Sequence, residues 1–329
     1  MGPLLLHYYV TYRCNGRCVF CDIPPSRAGS KEPTLAEIEE NLRSAKRLGV
    51  KFVDFTGGEP LLFRDLPEAL RCAKALGLWT SVTTNCLLYP SRGKELAALV
   101  DLLHFSLDSM DREEHDRIRG VPCYDAVMES VDLAQRMGER PDILFTVTSN
   151  NIGRLPEMVS FAQAQKLILI VNPVFSYFGN SGLSADQVAH LRRFRRAPYV
   201  YLNRAFLQLL EQGGNDTQDP RCRAVDAALV ISPDDHLLLP CYHHQIERLK
   251  VAGKLEQLLR SEARARARSM QGRYDFCQGC TINCYFDPSF LYKVDGYFLN
   301  SLFSKGKYGM DKYMRRRHLP QRPLPTSST

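Results

Sequence analysis

The chain has 329 residues, 44% of them hydrophobic and 24% charged, with a net charge of +7. That length can bury a large core and suggests one large domain plus a smaller one. No run approaches the roughly 18 to 20 apolar residues of a membrane span, and "MGPLLLHYYV" lacks the basic start and the length of a signal peptide, so a cytoplasmic chain is expected.

The first strand reads as "LLHYYVTY", ending at Tyr12. "PTLAEIEENLRSAKRLG" reads as a helix with a Thr34/Glu37 capping box and a stop at Gly49. Next come the strand and loop "KFVDFTGGEP", the helix "LPEALRCAKALG", the strand "LWTSVTTN", a helix near 91–99 and the strand "LLHFSLD". A helix over 125–137, the strand "DILFTVTSN", a helix over 153–165 and the strand "KLILIVNPVF" follow. Six strands, each but the last followed by a helix, predict a parallel α/β sheet with right-handed crossovers. The pattern changes after Phe175: a helical stretch over 184–211, a polar loop, a hairpin "AALVISPDDHLLLP" turning at Pro233-Asp234-Asp235, and a helical segment over 253–270. A basic amphipathic helix and a Pro/Ser/Thr tail, expected to be disordered, end the chain. Residues 293–317 carry seven basic residues (Lys293, Lys305, Lys307, Lys312, Arg315, Arg316, Arg317) against Asp295 and Asp311, so the positive charge gathers there.

Of the eleven cysteines, Cys72, Cys86 and Cys123 sit singly in a helix, after a strand and in a turn, and are most simply structural. The others form two groups. Cys14, Cys18 and Cys21 lie on the loop leaving the first strand, with no fourth Cys or His nearby, since His7 is inside the strand. Structural zinc wants four ligands, whereas a [4Fe–4S] cluster held by three thiolates keeps one iron open. This Cys-x3-Cys-x2-Cys loop, with Phe20 at its aromatic position, resembles the hallmark of the radical S-adenosylmethionine (radical SAM) enzymes. In that family the open iron is chelated by the amino and carboxylate groups of S-adenosylmethionine, which the reduced cluster cleaves to a 5′-deoxyadenosyl radical. "DFTGGEP" adds a second match: Gly57, Gly58, Glu59 and Pro60 fit the family's GGEP motif. Glycines allow close backbone approach to a ligand, and the Glu59 carboxylate is expected to meet the methionine amino group. Weaker matches place Asn85, Ser106 and Asp108, with Asn150 and Asn151, at strand ends where the ribose and carboxylate of the cofactor are expected; Arg119 follows the fourth-strand segment as a further candidate and reads otherwise as a surface residue. The Asn residues and Asp108 read equally well as turn formers.

The second group is Cys222, Cys241, Cys277, Cys280 and Cys284. Four thiolates around zinc would satisfy the same spacing. Behind a radical SAM barrel the pattern resembles the Twitch form of the SPASM extension, which holds one auxiliary [4Fe–4S] cluster and would use Cys222, Cys241, Cys277 and Cys280 most readily. Cys284 departs from that pattern. The resemblance implies a partial (β/α)6 radical SAM barrel over 1–175, a helical connection over 176–221, a Twitch/SPASM-like domain over 222–288 and the basic helix and tail over 289–329. It implies hydrogen abstraction from a substrate, with a two-electron oxidation assisted by the auxiliary cluster as the preferred reaction. Radical bond formation on a peptide or lipid is the alternative. A non-catalytic iron–sulfur protein is disfavoured by the intact GGEP loop. The substrate is left open among a small molecule, a lipid-linked molecule and a peptide. With the cluster cysteines beginning at residue 14, no N-terminal leader-binding module is expected, which lowers the peptide reading without removing it. A flavodoxin- or ferredoxin-like reductant is the expected partner. No nucleic acid is expected. Leu291, Val294, Phe298 and Leu302 are expected to dock the last helix, leaving a solvated basic face or one that contacts a membrane or an acidic partner.

Overall fold

The structure, a computed structural model, describes residues 2–21, 23, 31–176 and 179–315. Arg316, Arg317 and the Pro/Ser/Thr tail lie outside the described residues. The repeat of strands and helices is β1 (Leu5–Thr11), α1 (Leu35–Arg47), β2 (Phe52–Gly57), α2 (Leu66–Ala75), β3 (Trp79–Thr84) and α3 (Tyr89–Leu96). It continues with β4 (Leu102–Ser106), α4 (Arg112–Arg119), α5 (Tyr124–Arg136), β5 (Asp142–Val147), α6 (Leu155–Gln165) and β6 (Leu169–Pro173). Strands β1 to β6 pair in sequence order and in parallel, as the alternation requires. Leu6, Tyr8, Val10, Phe55, Val82, Phe105 and Phe145 are fully buried between sheet and helices. Alternation along β1 sends His7 and Thr11 to the other face. The Thr34/Glu37 capping box is formed at α1.

α4, which sequence periodicity did not mark, is a short, mostly charged helix held by its ends. The Asp111 carboxylate accepts the Glu114 N–H at 2.9 Å, and Gly120 closes the helix at φ 68°. The helical stretch expected over 184–211 is broken. It forms α7 (Ala185–Arg193) and α8 (Arg204–Glu211), separated by the two-residue strand β7 (Val200–Tyr201) that adds to β6 in parallel. Pro198 and the left-handed Tyr199 (φ 59°) make a continuous helix impossible there.

The C-terminal half continues the same sheet from its other edge. After the single-turn α9 (Ala224–Ala227), β8 (Ala228–Ile231) pairs in parallel with β1 through Leu5–Ala228 to Tyr8–Ile231. β9 (His236–Pro240) returns antiparallel, and β10 (Gln245–Lys250) pairs with β9, giving one ten-stranded sheet. β10 escapes sequence reading because it is an edge strand rich in charge, "QIERLK". The helix expected over 253–270 is two, α10 (Leu255–Leu258) and α11 (Glu262–Met270), the second capped by Ser261. α12 (Asn283–Ser289) and α13 (Gly296–Gly309), with a π-helical turn at Met310–Met314, close the described chain. None of the described helices is long and apolar enough to cross a membrane.

α13 docks only in part as expected, with Leu291 and Phe298 half-buried. Tyr297, Ser301 and Ser304 are buried, while Val294 and Leu302 are exposed. The lysines turn inward: Lys305 meets Asp287, Lys307 meets Asp311 at 2.7 Å, and Lys312 meets Asp142 at 2.8 Å with both side chains buried. Buried Asp142 and half-buried Asp287 draw Lys312 and Lys305 in, since an unpaired buried charge is the costlier arrangement, while Asp311 holds Lys307 within the same helical end.

Candidate active site and second cysteine site

The loop leaving β1 runs along the C-terminal end of α4. Arg17 and Val19 N–H groups donate to the Arg119 and Ile118 carbonyls, both at 2.9 Å. A Cβ at Gly120 would lie 2.3 Å from the Arg17 carbonyl oxygen, so this seam needs glycine. Cys14, Cys18 and Cys21 line an open cleft of about 790 Å³ at the C-terminal ends of β2 to β5. Their sulfurs meet donors: the Gly16 N–H lies 3.3 Å from Cys14 Sγ, Asn85 Nδ2 at 3.9 Å from the same sulfur, and Arg119 Nη1 3.7 Å from Cys18 Sγ. Burial pushes the Cys14 thiol up to about 11, so it becomes a thiolate ligand only when a metal replaces its proton.

Phe20, Gly57, Gly58, Glu59, Asn85, Ser106 and Arg119 line the same cleft. The glycines work first against the chain itself. A Cβ on Gly57 (φ 144°) would sit 1.9 Å from the Thr11 carbonyl oxygen, and one on Gly58 would sit 2.2 Å from that of Arg13. The Gly58 and Glu59 N–H groups donate to those two carbonyls at 2.9 and 2.8 Å, locking the GGEP turn under the cysteine loop. Glu59 is likewise more engaged than its motif implies. Only 1% exposed, it accepts from the Leu61 N–H (3.1 Å), the Thr84 hydroxyl (2.8 Å) and the Asn85 N–H (2.8 Å). Burial raises its pKa, against the pull of those three bonds and of Arg119.

Asp108 does not line the cleft; it stands behind Arg119. Its Oδ2 is 2.7 Å from Arg119 Nε, its Oδ1 accepts the Thr146 N–H at 2.9 Å, and it is fully buried. Arg119 also lies over the Phe20 ring, 5.4 Å from its centroid. Its Nη2 is buried without a partner among the described residues. Asn151 behaves as a turn former, accepting from the Thr148 N–H at 2.7 Å, and with Asn150 it borders a separate cleft beyond Phe20. Sequence reading missed Thr56, Thr83, Thr84 and Thr146, which also line the cleft. Their signal was a threonine at or near the end of β2, β3 and β5, just before the loop.

The second group divides. Cys222, Cys241, Cys277 and Cys280 line one small cavity, with Phe276, Tyr285 and Phe286 in its wall, whereas Cys284 is outside that lining: its residue is exposed, but its thiol turns toward Cys241, Asp54 and Cys280, where burial raises its pKa. Burial raises the thiol pKa of Cys222, Cys241 and Cys277; Cys241 is pushed up to about 11. Neither cysteine group is drawn in to the size of a single ion. Among the described residues only His115, Asp116 and Cys123 bring three ligand atoms within 4.8 Å of one another. That trio is a structural knot: His115 Nδ1 accepts the Asp108 N–H at 3.1 Å, and Asp116 accepts the N–H groups of Cys123 and Tyr124, both at 2.8 Å, at the start of α5.

Residues 8–162 match the family model of the Radical SAM superfamily. The chain carries a radical SAM domain. The radical SAM family implies a [4Fe–4S] cluster and S-adenosylmethionine, and three cysteines around an open cleft suit both. Among curated relatives, the "Probable GTP 3′,8-cyclase" of Methanocella arvoryzae is 30% identical over 196 residues, 58% of this chain and 63% of that one. The protein of the same name from Thermococcus kodakarensis is 37% identical over 171 residues, 50% of this chain and 54% of that one. The chain thus spans little more than half the length of these relatives. In fold it is similar to Streptococcus suis SuiB bound to S-adenosylmethionine, with TM-score 0.66 and 20% identity over 90% of this chain and 76% of that one. It is also similar to anSMEcpe with bound AdoMet, with TM-score 0.65 and 16% identity over 94% of this chain and 97% of that one. The likeness covers 90% or more of this chain, so it extends into the C-terminal half.

Proposed function

We propose that this chain binds one [4Fe–4S] cluster through Cys14, Cys18 and Cys21 and a second through Cys222, Cys241, Cys277 and Cys280, and catalyses a radical two-electron oxidation. The observation that carries this reading is the second cavity, on which four cysteines converge while the fifth stays out. Four thiolates leave no open iron, which suits an electron acceptor, and the sulfurs' spread beyond single-ion spacing favours a cluster over zinc. When bound, the cluster held by Cys14, Cys18 and Cys21 together with S-adenosylmethionine would supply hydrogen-atom abstraction, and the cluster held by Cys222, Cys241, Cys277 and Cys280 would supply an acceptor for the remaining electron, the accompanying proton passing to solvent.

The chain's own residues hold and tune these groups. Gly16, Asn85 and Arg119 donate to the Cys14 and Cys18 sulfurs, which stabilises negative charge there. The unpartnered Nη2 of Arg119, kept charged by Asp108, offers a donor for the carboxylate of the methionine moiety. Glu59 stiffens the ends of β2 and β3 and presents negative charge to the methionine amino group. The relatives' name supports a second reading, ring closure on GTP.

Anaerobically reconstituted protein should hold about eight irons and release 5′-deoxyadenosine from S-adenosylmethionine under a strong reductant. Cys222→Ala should lose or destabilise the second cluster, and Cys284→Ala should keep it. Stoichiometric zinc with only about four irons, or a second cluster indifferent to loss of Cys222, would defeat the assignment. Consumption of GTP in step with 5′-deoxyadenosine release would replace oxidation by cyclisation.

A further inference from the structure

The positive charge of the fold is not where the last helix's lysines suggested, because those lysines are spent on buried carboxylates. It gathers instead where α7, α8 and α13 meet. Arg192, Arg195, Arg196 and Arg204 line a single open cavity of about 730 Å³ there, and Glu211 is the one carboxylate in its lining. Glu211 pairs with Arg192 at 3.1 Å, leaving three guanidinium groups in excess. Asn300 of α13 completes the wall, and one turn along α13 the Phe303 ring lies under the Arg204 guanidinium, 6.0 Å away.

Phe303 belongs to an outward stripe. Leu299, Leu302, Phe303 and Met314 are 52, 52, 64 and 62% exposed, and Met310 and Tyr313, on the π-helical turn with Met314, are also exposed. Apolar side chains this exposed are ordinary singly; six of them along one helical end, with Phe303 against Arg204 of the arginine cluster, are not. A strip of large apolar groups flanked by cations matches the chemistry of a bilayer face, where acyl chains meet the strip and headgroup phosphates meet the guanidiniums. We propose that α13 and the arginine cavity form a docking face for an anionic lipid bilayer. The charge complementarity selects lipid over a second copy of this chain, which would bring like-charged arginines toward each other. Forked guanidiniums at the rim also suit phosphate better than single ammonium charges would.

Flotation of the full-length reconstituted protein with vesicles tests this. The protein should float with vesicles of phosphatidylcholine and phosphatidylglycerol, release as salt is raised, and bind phosphatidylcholine alone about tenfold more weakly or worse. Arg195→Glu with Arg196→Glu, and separately Leu302→Asp with Phe303→Asp, should each lower partitioning about tenfold or more, with unfolding curves and iron content unchanged. Binding of inorganic tripolyphosphate to the arginines without vesicle flotation would overturn the proposal in favour of a soluble phosphate ligand. Concentration-dependent dimerisation abolished by the apolar pair, again without flotation, would overturn it in favour of a second copy.

Discussion

Replacing Arg119 by Met tests the coupling at the back of the cleft. The substitution keeps most of the apolar stem but leaves Asp108, 0% exposed, with the Thr146 N–H as its one remaining hydrogen-bond donor. Removing one partner of a buried ion pair costs about 3 to 5 kcal/mol. Burial already raises the pKa of Asp108 with the guanidinium present, so without it the carboxyl takes up a proton in the folded state. The folded variant then binds a proton that the unfolded chain lacks, and the penalty should shrink as pH falls from neutral toward the ordinary carboxylate range. Arg119→Met with Asp108→Asn removes the stranded charge and should recover at least half of the lost stability. Anaerobic urea unfolding of wild type, both single variants and the double variant gives the interaction directly. The refolded double variant still lacks the donor to Cys18, so its first cluster should reduce at a more negative potential than wild type. A loss below about 1 kcal/mol for Arg119→Met, or a double variant no more stable than the single one, would refute the coupling.

Gly57→Ala places a methyl 1.9 Å from the Thr11 carbonyl oxygen at a backbone angle (φ 144°) that side chains avoid. It should cost about 3 kcal/mol or more and reduce iron at the first site, whereas near-normal iron content would show that the β1–β2 seam yields easily. His115 is buried beside Arg119, which together push its pKa down to about 3. The unfolded chain protonates it near 6.5 and the folded one does not, so stability is lost as pH falls below that value, by about 2 kcal/mol at pH 5. His115→Gln should therefore show a gap to wild type that narrows by that amount between pH 7 and pH 5. A gap independent of pH would mean that the folded protein accepts the proton.

Local chemistry determined the alternation of strands and helices, the capped start of α1, the cysteine loop and the GGEP turn, because each depends on residues within a turn or two of one another. The same locality explains the failures. β10 pairs through its backbone and carries charged side chains, β7 exists because β6 offers an edge, and α4 is made by its caps, so hydrophobic period marks none of them. At the site, which thiols belong together is a matter of convergence: Cys222 reaches the cavity of Cys241, Cys277 and Cys280 across the chain, while Cys284, four residues past Cys280, does not. Asp108 reads in sequence as a ligand and stands in the fold as the counter-ion of Arg119. The direction of α13 was ambiguous in sequence because its residues carry both apolar and basic positions. Asp142 and Asp287, buried and half-buried carboxylates, decide it by drawing Lys312 and Lys305 inward and turning Leu302 and Phe303 to the outside. Burial of charge is set by partners distant in sequence, and only the tertiary structure brings them into contact.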